Sequence, residues 1–273
     1  MFKEIFDNVR AAAPLVHNIT NYVTVNDCAN VLLACGASPI MADDIDEAAD
    51  ITRICGALNI NIGTLSQNTI PSMFAAGKAS NELSHPLVLD PVGAGASALR
   101  TNTAKKLIEE LEVSVIRGNI SEIKALALGA GGAKGVDADV LDLLTEETLE
   151  NAVSFTKRFA KEKNTIVAVT GAIDIVTDGE TAYTIRNGNA NMGKITGTGC
   201  MLSSLVAAFA AANREKLLES AAAAVIAMGL AGEQGFARLG ERDGNAAFRQ
   251  YIIDAIYNMN GEILDAGAKY ERV

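Results

Sequence analysis

The chain has 273 residues, of which 49% are hydrophobic and 21% are charged, and its formal net charge is −10. This composition is typical of a globular protein with a large core and argues against disorder. The acidic excess argues against a nucleic-acid or anionic-membrane partner because it leaves no broad cationic face, although local dipoles, a few cations and a metal could still hold a small anion.

No targeting or membrane-spanning segment is predicted along the chain. Residues 1–16 mix charged and apolar side chains and lack the apolar core of a signal peptide. The longest apolar stretches, around 205–211 and 221–232, are short, rich in Ala and interrupted, so none would span a bilayer. The four cysteines form no C-x-x-C pair, and we therefore expect a reduced cytoplasmic protein.

The first motif in chain order is NITNYVTVND (18–27). Its amides, Asn18 and Asn21, could line a pocket, but the same residues also serve as turn and cap formers. Cys28 and Cys35 follow with a spacing that predicts two buried positions on the core face of a helix.

From residue 37 to residue 170 the chain alternates short β-type runs with helical segments. This alternation predicts right-handed crossovers and a mostly parallel sheet covered by helices, which is an α/β fold. The helical segments are 44–56, 67–83, 100–112 and one that ends at 148–163. The β-type runs are ASPIM (37–41), ALNINI (57–62), PLVLDPV (86–92), VSVI (113–116) and TIVAVT (165–170).

The segment DIVTDGETAYTI (174–185) departs from this pattern. Asp178-Gly179 lies between two β-type runs, which predicts a tight hairpin and one antiparallel pair. The last third is helical and rich in Ala. No low-complexity linker or solenoid repeat interrupts the chain, so we expect a single domain over residues 1–273.

The predicted strands of the α/β region end in glycine or polar residues, as in Ala42-Asp43, Gly63-Thr64 and Gly171. In open parallel sheets ligands bind at this edge, where glycine lets the backbone approach a ligand and the next helix offers free N–H groups to anions. Any single strand-to-helix turn favours Gly and Asp. Their recurrence at successive strand ends predicts a pocket.

LDPVGAGAS (89–97) places Asp90 at a strand end before a glycine pair. Residues 93–98 also fit the dinucleotide pattern G-x-G-x-x-A, which requires an acid at the end of the following strand. That strand ends in Ile116-Arg117-Gly118, and the dinucleotide interpretation is weakened accordingly. Arg117 could instead bind a phosphate, and Asp90 could help to hold a metal.

In RGNISE (117–122), Asn119 and Glu122 are three residues apart and share a face on a helical turn. An amide oxygen and a carboxylate presented together suit Mg²⁺, directly or through its waters. The same pair is also typical of a capping box at a helix start. The two interpretations are compatible, and the sequence leaves both open.

GTGC (197–200) marks the point where a glycine-rich turn becomes a helix. The backbone N–H groups there, with the helix dipole, would stabilise charge on a phosphate. A cysteine in a first helical turn gains thiolate character and could orient or deprotonate a hydroxyl. An ordinary buried cysteine is an equally good interpretation of Cys200 from this stretch alone.

These motifs resemble the hydroxyethylthiazole kinase family of the ribokinase-like superfamily over nearly the whole chain. The resemblance implies a three-layer α/β/α fold and a homotrimer with active sites between subunits. It also implies Mg²⁺-dependent transfer of the ATP γ-phosphate to the alcohol of 4-methyl-5-(2-hydroxyethyl)thiazole, in the thiamine pathway. The motifs are VHNITNYV, GASPIMA, LNINIGTL, VLDPVGAGAS, IRGNISEI, KGVDA, VAVTG, GTGCM and AAFRQYIIDAIYNM.

The resemblance further implies roles for individual residues. ATP would bind Arg117 and Thr170, and Met41 would reach the thiazole from a neighbouring subunit. The residues implied to contact the thiazole are Asn21, Met41, Gly63 and Gly197.

The implied catalytic centre consists of metal-binding residues and the helix start at GTGC (197–200). Asp90 and Glu122 would organise the metal and phosphates, with Asn119 in support. Cys200 occupies the place where most ribokinase-like enzymes carry an aspartate base. The residues implied to act at the reacting centre are Gly197, Thr198, Gly199 and Cys200.

Two other functions remain compatible with these motifs. Ribokinase-like relatives phosphorylate hydroxymethylpyrimidine or vitamin B6 compounds, or dehydrate hydrated nicotinamide cofactors. A non-catalytic sensor of thiazole or ATP is a further alternative. Intact Arg117, Asn119, Glu122 and GTGC argue against the sensor.

Overall fold

A nine-stranded sheet crosses the part of the chain that the computed structural model describes, residues 1–128 and 144–273. The strands are β1 (Leu15–Ile19), β2 (Ser38–Met41), β3 (Ala57–Asn61), β4 (Leu87–Asp90), β5 (Val115–Asn119), β6 (Ile166–Thr170), β7 (Asp174–Thr177), β8 (Ala182–Ile185) and β9 (Tyr270–Arg272). Their order is β2-β1-β3-β4-β5-β6-β7-β8-β9. The first six strands of this order are parallel, and the last three join as antiparallel neighbours.

Helices cover both faces of the sheet in the described ranges. They are α1 (Phe2–Ala12), α2 (Val25–Cys35), α3 (Ala48–Ile54), α4 (Thr69–Glu82), α5 (Ala98–Glu110), α6 (Ile120–Leu128), α7 (Leu149–Lys163), α8 (Thr198–Ala212), α9 (Leu217–Ala237), α10 (Asn245–Asn258) and α11 (Gly261–Gly267), with a 3-10 helix at Ala190–Lys194. None of these helices is long and apolar enough to cross a membrane.

The alternation of side chains along the strands divides the core into two. In β4, Val88 packs into the core formed with α1, α2, α8, α9 and α10, while Leu87 and Leu89 pack into the core on the opposite face with α4, α5 and α7. Apolar residues on both faces are expected of parallel strands covered on both sides. The result is the three-layer α/β/α architecture that the family resemblance implies.

Helix α8 positions the candidate site. It packs against β1, β3 and β4, and its side chains are buried from Cys200 to Ala210. Small residues such as Ala207 and Ala208 permit this close packing on the sheet. The start of α8 therefore lies at the carboxyl ends of β3 and β4.

The predicted parallel α/β pattern and the hairpin of β7 and β8 are confirmed, and Cys28 and Cys35 are buried. Strand β5 runs further than predicted, so Arg117 and Asn119 belong to the strand itself. Strands β1 and β9 were not among the predicted runs, because HNI interrupts an apolar pattern and β9 is exposed. The motif KGVDA (134–138) lies outside the described residues.

Candidate active site

The start of α8 presents backbone N–H groups at the carboxyl edge of the sheet. Gly197 caps the helix with a φ of +95°, and its carbonyl accepts the first helical bond from Met201 N–H at 2.8 Å. Within the described ranges, the N–H groups of Thr198, Gly199 and Cys200 have no acceptor. Because the helix dipole adds partial positive charge there, the α8 start is suited to bind an anion.

Two glycines let other segments approach this turn closely. A Cβ at Gly197 would lie 2.7 Å from Thr24 Cγ2, and a Cβ at Gly199 would overlap the terminal guanidinium nitrogens of Arg117. The guanidinium of Arg117 thus packs directly on the first turn of α8. The side chain of Arg117 is only 6% exposed, so a buried cation reinforces the N–H groups.

Asp90 lies at the end of β4 and is fully buried. Its Oδ2 accepts hydrogen bonds from Asn61 Nδ2 and Ser203 Oγ, both at 2.8 Å, and is 3.5 Å from Arg117 Nη2. Burial raises the pKa of Asp90; the charge of Arg117 opposes this shift and that of Glu122 adds to it. Asp90 Oδ1 and Arg117 Nε have no partner among the described residues, so both are available to a ligand or an ion.

The sulfur of Cys200 is held by two amides. Asn21 Nδ2 donates to Cys200 Sγ at 3.2 Å and Asn61 Nδ2 donates at 3.3 Å. Cys200 is buried, but its sulfur is in contact with these polar amides and not only with apolar side chains. Asn61 was not singled out from the sequence. The feature of the sequence that could have identified it is the pair Asn59 and Asn61 in ALNINI. These two polar residues lie on the same face of a strand whose other residues are apolar.

Glu122 and Asn119 form the reciprocal capping box that the sequence suggested. Asn119 N–H donates to Glu122 Oε2 at 2.8 Å, and Glu122 N–H donates to Asn119 Oδ1 at 2.9 Å. Gly93 N–H donates to the other carboxylate oxygen at 2.9 Å. The carboxylate is thereby fixed between the ends of β4 and β5, near Asp90.

Two cavities open on either side of the α8 start. Cavity 1, about 630 Å³, is lined by residues at the ends of β1, β2 and β3 and by the start of α5. Cavity 2, about 570 Å³, is lined by the end of β6, the segment 186–193, the α8 start and α9. Asn61 lines cavity 1 and contacts Cys200, while Thr198 and Gly199 line cavity 2. The reacting groups predicted from the sequence therefore lie between the two cavities.

The structure brings the predicted residues together in three groups. Met41 and Gly63 line cavity 1. Thr170, Thr198 and Gly199 line cavity 2. The group between the cavities consists of Asn21, Asp90, Arg117, Glu122, Gly197 and Cys200, with Asn119 exposed beside it.

Cavity 2 contains a buried carboxyl group that the sequence analysis did not identify. Asp174, the first residue of β7, accepts a hydrogen bond from Gly171 N–H at 2.9 Å. Burial raises the pKa of Asp174 to about 7, although that bond and the charge of Arg117 act in the opposite direction.

Comparison with known proteins identifies the family of the chain. The model of the hydroxyethylthiazole kinase family matches residues 6–262. A hydroxyethylthiazole kinase from Clostridium acetobutylicum is 60% identical over 271 residues, 99% of each chain. One from Clostridium beijerinckii is 49% identical and covers 98% of this chain and 96% of its own.

Solved structures give the same result. The hydroxyethylthiazole kinase protein of Pyrococcus horikoshii OT3 has a TM-score of 0.87 and 38% identity, covering 100% of this chain and 98% of its own. Pyridoxal kinase from Staphylococcus aureus in complex with ADP has a TM-score of 0.61 and 15% identity over 95% of this chain and 98% of its own. The second likeness extends to the ribokinase-like fold alone.

Proposed function

The chain belongs to the hydroxyethylthiazole kinase family, and we propose that it transfers the γ-phosphoryl group of ATP to the hydroxyl of 4-methyl-5-(2-hydroxyethyl)thiazole, a reaction of thiamine biosynthesis or salvage. The observation that carries the proposal is the α8 start, which offers free N–H groups between cavity 1 and cavity 2. The thiazole occupies cavity 1, beside Met41 and Gly63, and the nucleotide occupies cavity 2, beside Thr170.

Charge stabilisation at the α8 start supplies most of the rate. Phosphoryl transfer passes through a loose transition state, so positioning and electrostatics matter more than covalent chemistry. The N–H groups of Thr198, Gly199 and Cys200 lie in the first turn of α8, and the guanidinium of Arg117 packs against that turn at Gly199. They are fixed before the phosphoryl group arrives, and therefore need little reorganisation as its charge develops.

The carboxylates of Asp90 and Glu122 are the groups that would hold Mg²⁺. The unpartnered Oδ1 of Asp90 and the fixed carboxylate of Glu122 offer the hard oxygen ligands that this ion prefers. Asn119 supports Glu122 through the capping box. When bound, the ion neutralises charge on the phosphate oxygens.

Cys200 accepts a hydrogen bond from the substrate hydroxyl and plays a smaller part. The proton of the nucleophile is lost late in a loose transition state, so a strong base is not required. General-base assistance is typically worth about 10²- to 10⁴-fold. We place the contribution of Cys200 at or below the low end of that range. The backbone of Gly197, Thr198 and Gly199 contributes more to the rate than Cys200 does.

The active form is a cytoplasmic homotrimer in which Met41, besides lining cavity 1 of its own chain, reaches the thiazole bound to the neighbouring subunit. Strand β2, which carries Met41, is at the edge of the sheet. Tyr22 and Leu99, both in the lining of cavity 1, are 79% and 55% exposed, and a neighbouring subunit would cover such apolar side chains. The four free cysteines are consistent with a reducing compartment.

An ADP-release assay tests the activity directly. The purified chain with ATP, Mg²⁺ and the thiazole alcohol should release ADP in proportion to phosphorylated thiazole, detected by mass spectrometry. Hydroxymethylpyrimidine and pyridoxal serve as competing alcohols, and both should turn over at least tenfold more slowly. Binding of thiazole without any ADP release would identify a sensor and reject the proposal.

A further inference from the structure

The sulfur of Cys200 is surrounded by hydrogen-bond donors that come from two different elements. Asn21 lies in the connection between β1 and α2, and Asn61 is the last residue of β3. Both amide groups donate to Sγ, at 3.2 Å and 3.3 Å. The sulfur therefore serves as an acceptor in the protein, which is also what it must do for the hydroxyl of a substrate.

Backbone donors fix the orientation of both amides. Asn61 Oδ1 accepts from the backbone N–H of Gly63 at 2.9 Å, and Asn21 Oδ1 accepts from the backbone N–H of Thr24 at 3.2 Å. A backbone N–H can only donate, so each amide oxygen must face it. Each NH₂ group must then face Sγ, and exchanging the oxygen and nitrogen of either amide would oppose donor to donor.

Asn61 is the member of this pair that connects two reacting groups. One Nδ2 hydrogen bond goes to Cys200 Sγ at 3.3 Å, and the other goes to Asp90 Oδ2 at 2.8 Å. Asn61 and Asp90 are also register partners in the β3–β4 pair. The side chain is 1% exposed, so water has little access to replace these bonds if the amide is removed.

We propose that Asn61 is a positioning residue, which fixes the sulfur of Cys200 relative to the carboxylate of Asp90 during phosphoryl transfer. This inference rests on the proposed function of the site. Asn61 acts through its two amide hydrogens, because its oxygen is occupied by Gly63 and Asn21. A side chain of the same shape without those hydrogens would not replace it.

The chain provides a matched control in Asn59. This residue precedes Asn61 by one strand repeat on the same face of β3, and it is also fully buried. Its Nδ2 donates to Asn18 Oδ1 at 3.0 Å and Ser204 Oγ at 3.2 Å. None of its hydrogen bonds among the described residues involves Cys200 or Asp90.

Steady-state kinetics of three variants test the proposal. Asn61→Ala should lower kcat about 10- to 100-fold with the KM for the thiazole changed less than about threefold. Asn61→Asp, which keeps the shape and loses the amide hydrogens, should be no more active than Asn61→Ala. Asn59→Ala should lower Tm but retain kcat within about threefold. Equal losses of kcat in Asn59→Ala and Asn61→Ala, or an active Asn61→Asp, would overturn the proposal.

A double-mutant cycle with Cys200→Ala tests the route of the effect. If Asn61 acts through the sulfur, the fold-loss of kcat caused by Asn61→Ala should be smaller in the Cys200→Ala background than in the parent, by a factor of about three or more. Independent, multiplicative effects would reject positioning of the sulfur. A parent chain without turnover would reject the proposed function and this inference together, whereas an active parent with multiplicative effects rejects this inference alone.

Discussion

Two polar layers lie between α8 and the strands, and both contain two asparagines and one serine. Asn59 belongs to one and Asn61 to the other, a single strand repeat apart on β3. The inner layer consists of Asn18, Asn59 and Ser204. The outer layer consists of Asn21, Asn61, Asp90, Cys200 and Ser203.

The two layers differ in charge and in their contact with the α8 start. The inner layer is linked by its own hydrogen bonds: Ser204 Oγ donates to Asn18 Oδ1 at 2.9 Å, and Asn18 Nδ2 donates to Val16 O. Each layer retains one buried oxygen without a partner among the described residues, Asn59 Oδ1 in the inner layer and Asp90 Oδ1 in the outer layer. The inner layer contains no charge. The outer layer contains the carboxyl group of Asp90 and the sulfur of Cys200 in the first turn of α8. Both layers reach the lining of cavity 1, the inner one at Asn18 and the outer one at Asn61. Similar amides and hydroxyls thus serve structure in one layer and chemistry in the next, and the difference lies in the charge of Asp90 and in the contact with Cys200.

The largest effect should come from filling the space between the outer layer and the α8 start. In Gly199→Ala the new methyl group would displace the guanidinium of Arg117. We expect kcat to fall about 10²- to 10³-fold, the loss typical of one misplaced charge-stabilising donor. Gly244→Ala is the matched control, because its Cβ would meet nothing within 4 Å and it is outside the lining of both cavities. Similar activity in the two variants would contradict the contact between Arg117 and α8.

A smaller loss is expected when the sulfur of the outer layer is removed. Cys200→Ala should lower kcat by about 10²-fold or less, because the N–H groups and Arg117 remain. The variant should bind thiazole and ATP with unchanged KM. A collapse of several decades would show that the thiol is essential. A faster Cys200→Asp variant would show that a stronger base is useful in this geometry.

Much of the fold could be predicted because it depends on local pattern. Strand β3 is apolar except at alternate positions, and β7 and β8 flank Asp178-Gly179, so period and turn chemistry identify them. Strand β1 was missed because His17 and Asn18 look polar in the sequence but are buried. Its His17 nitrogens are within 2.8 Å of Thr52 Oγ1 and 2.7 Å of the Ala42 carbonyl oxygen, contacts that depend on tertiary packing.

The site was predictable where a motif contains its own geometry. The capping box of Asn119 and Glu122 spans three residues, so spacing alone specifies it. The contact of Arg117 with Gly199 and the bond from Ser203 to Asp90 join distant segments. They depend on how α8 crosses the sheet, and no local pattern encodes that crossing.

The adjacent serines of α8 separate the two layers more finely. Ser203 Oγ donates to Asp90 Oδ2 at 2.8 Å, and Ser204 Oγ donates to Asn18 Oδ1 at 2.9 Å; both side chains are fully buried. Ser203→Ala removes a hydrogen bond to a charged group, worth ~1.5–3 kcal/mol, and should lower kcat about tenfold. Ser204→Ala should leave kcat unchanged and lower the free energy of unfolding by ~1–3 kcal/mol. The reverse pattern, read from kinetics and thermal melts of both variants, would refute the division into layers.

The smallest effect concerns a buried carboxyl group outside both layers. Asp90 accepts hydrogen bonds from Asn61 and Ser203 and forms an ion pair with Arg117. Asp174 accepts a hydrogen bond from Gly171 N–H. Burial raises the pKa of Asp174 to about 7 from the ordinary value of 3.8 for an aspartate side chain. Between those pH values the folded protein binds a proton that the unfolded chain has lost, so this group makes the free energy of unfolding fall as pH rises toward 7.

Asp174→Asn removes that penalty and retains an oxygen for Gly171 N–H. Its Tm should exceed that of the parent at pH 8 by about 2–4 °C, which corresponds to ~1 kcal/mol for a chain of this size. This Tm difference should shrink as pH falls from 7 toward 4. Asp174 of the parent is protonated in the folded state over that range, and the free-energy cost of protonating it decreases as pH falls. Asp50→Asn, at an 81% exposed side chain, should follow the pH dependence of the parent. A Tm difference between Asp174→Asn and the parent that is the same at every pH would mean that packing, not ionisation, distinguishes Asp174 from Asp90 in the outer layer.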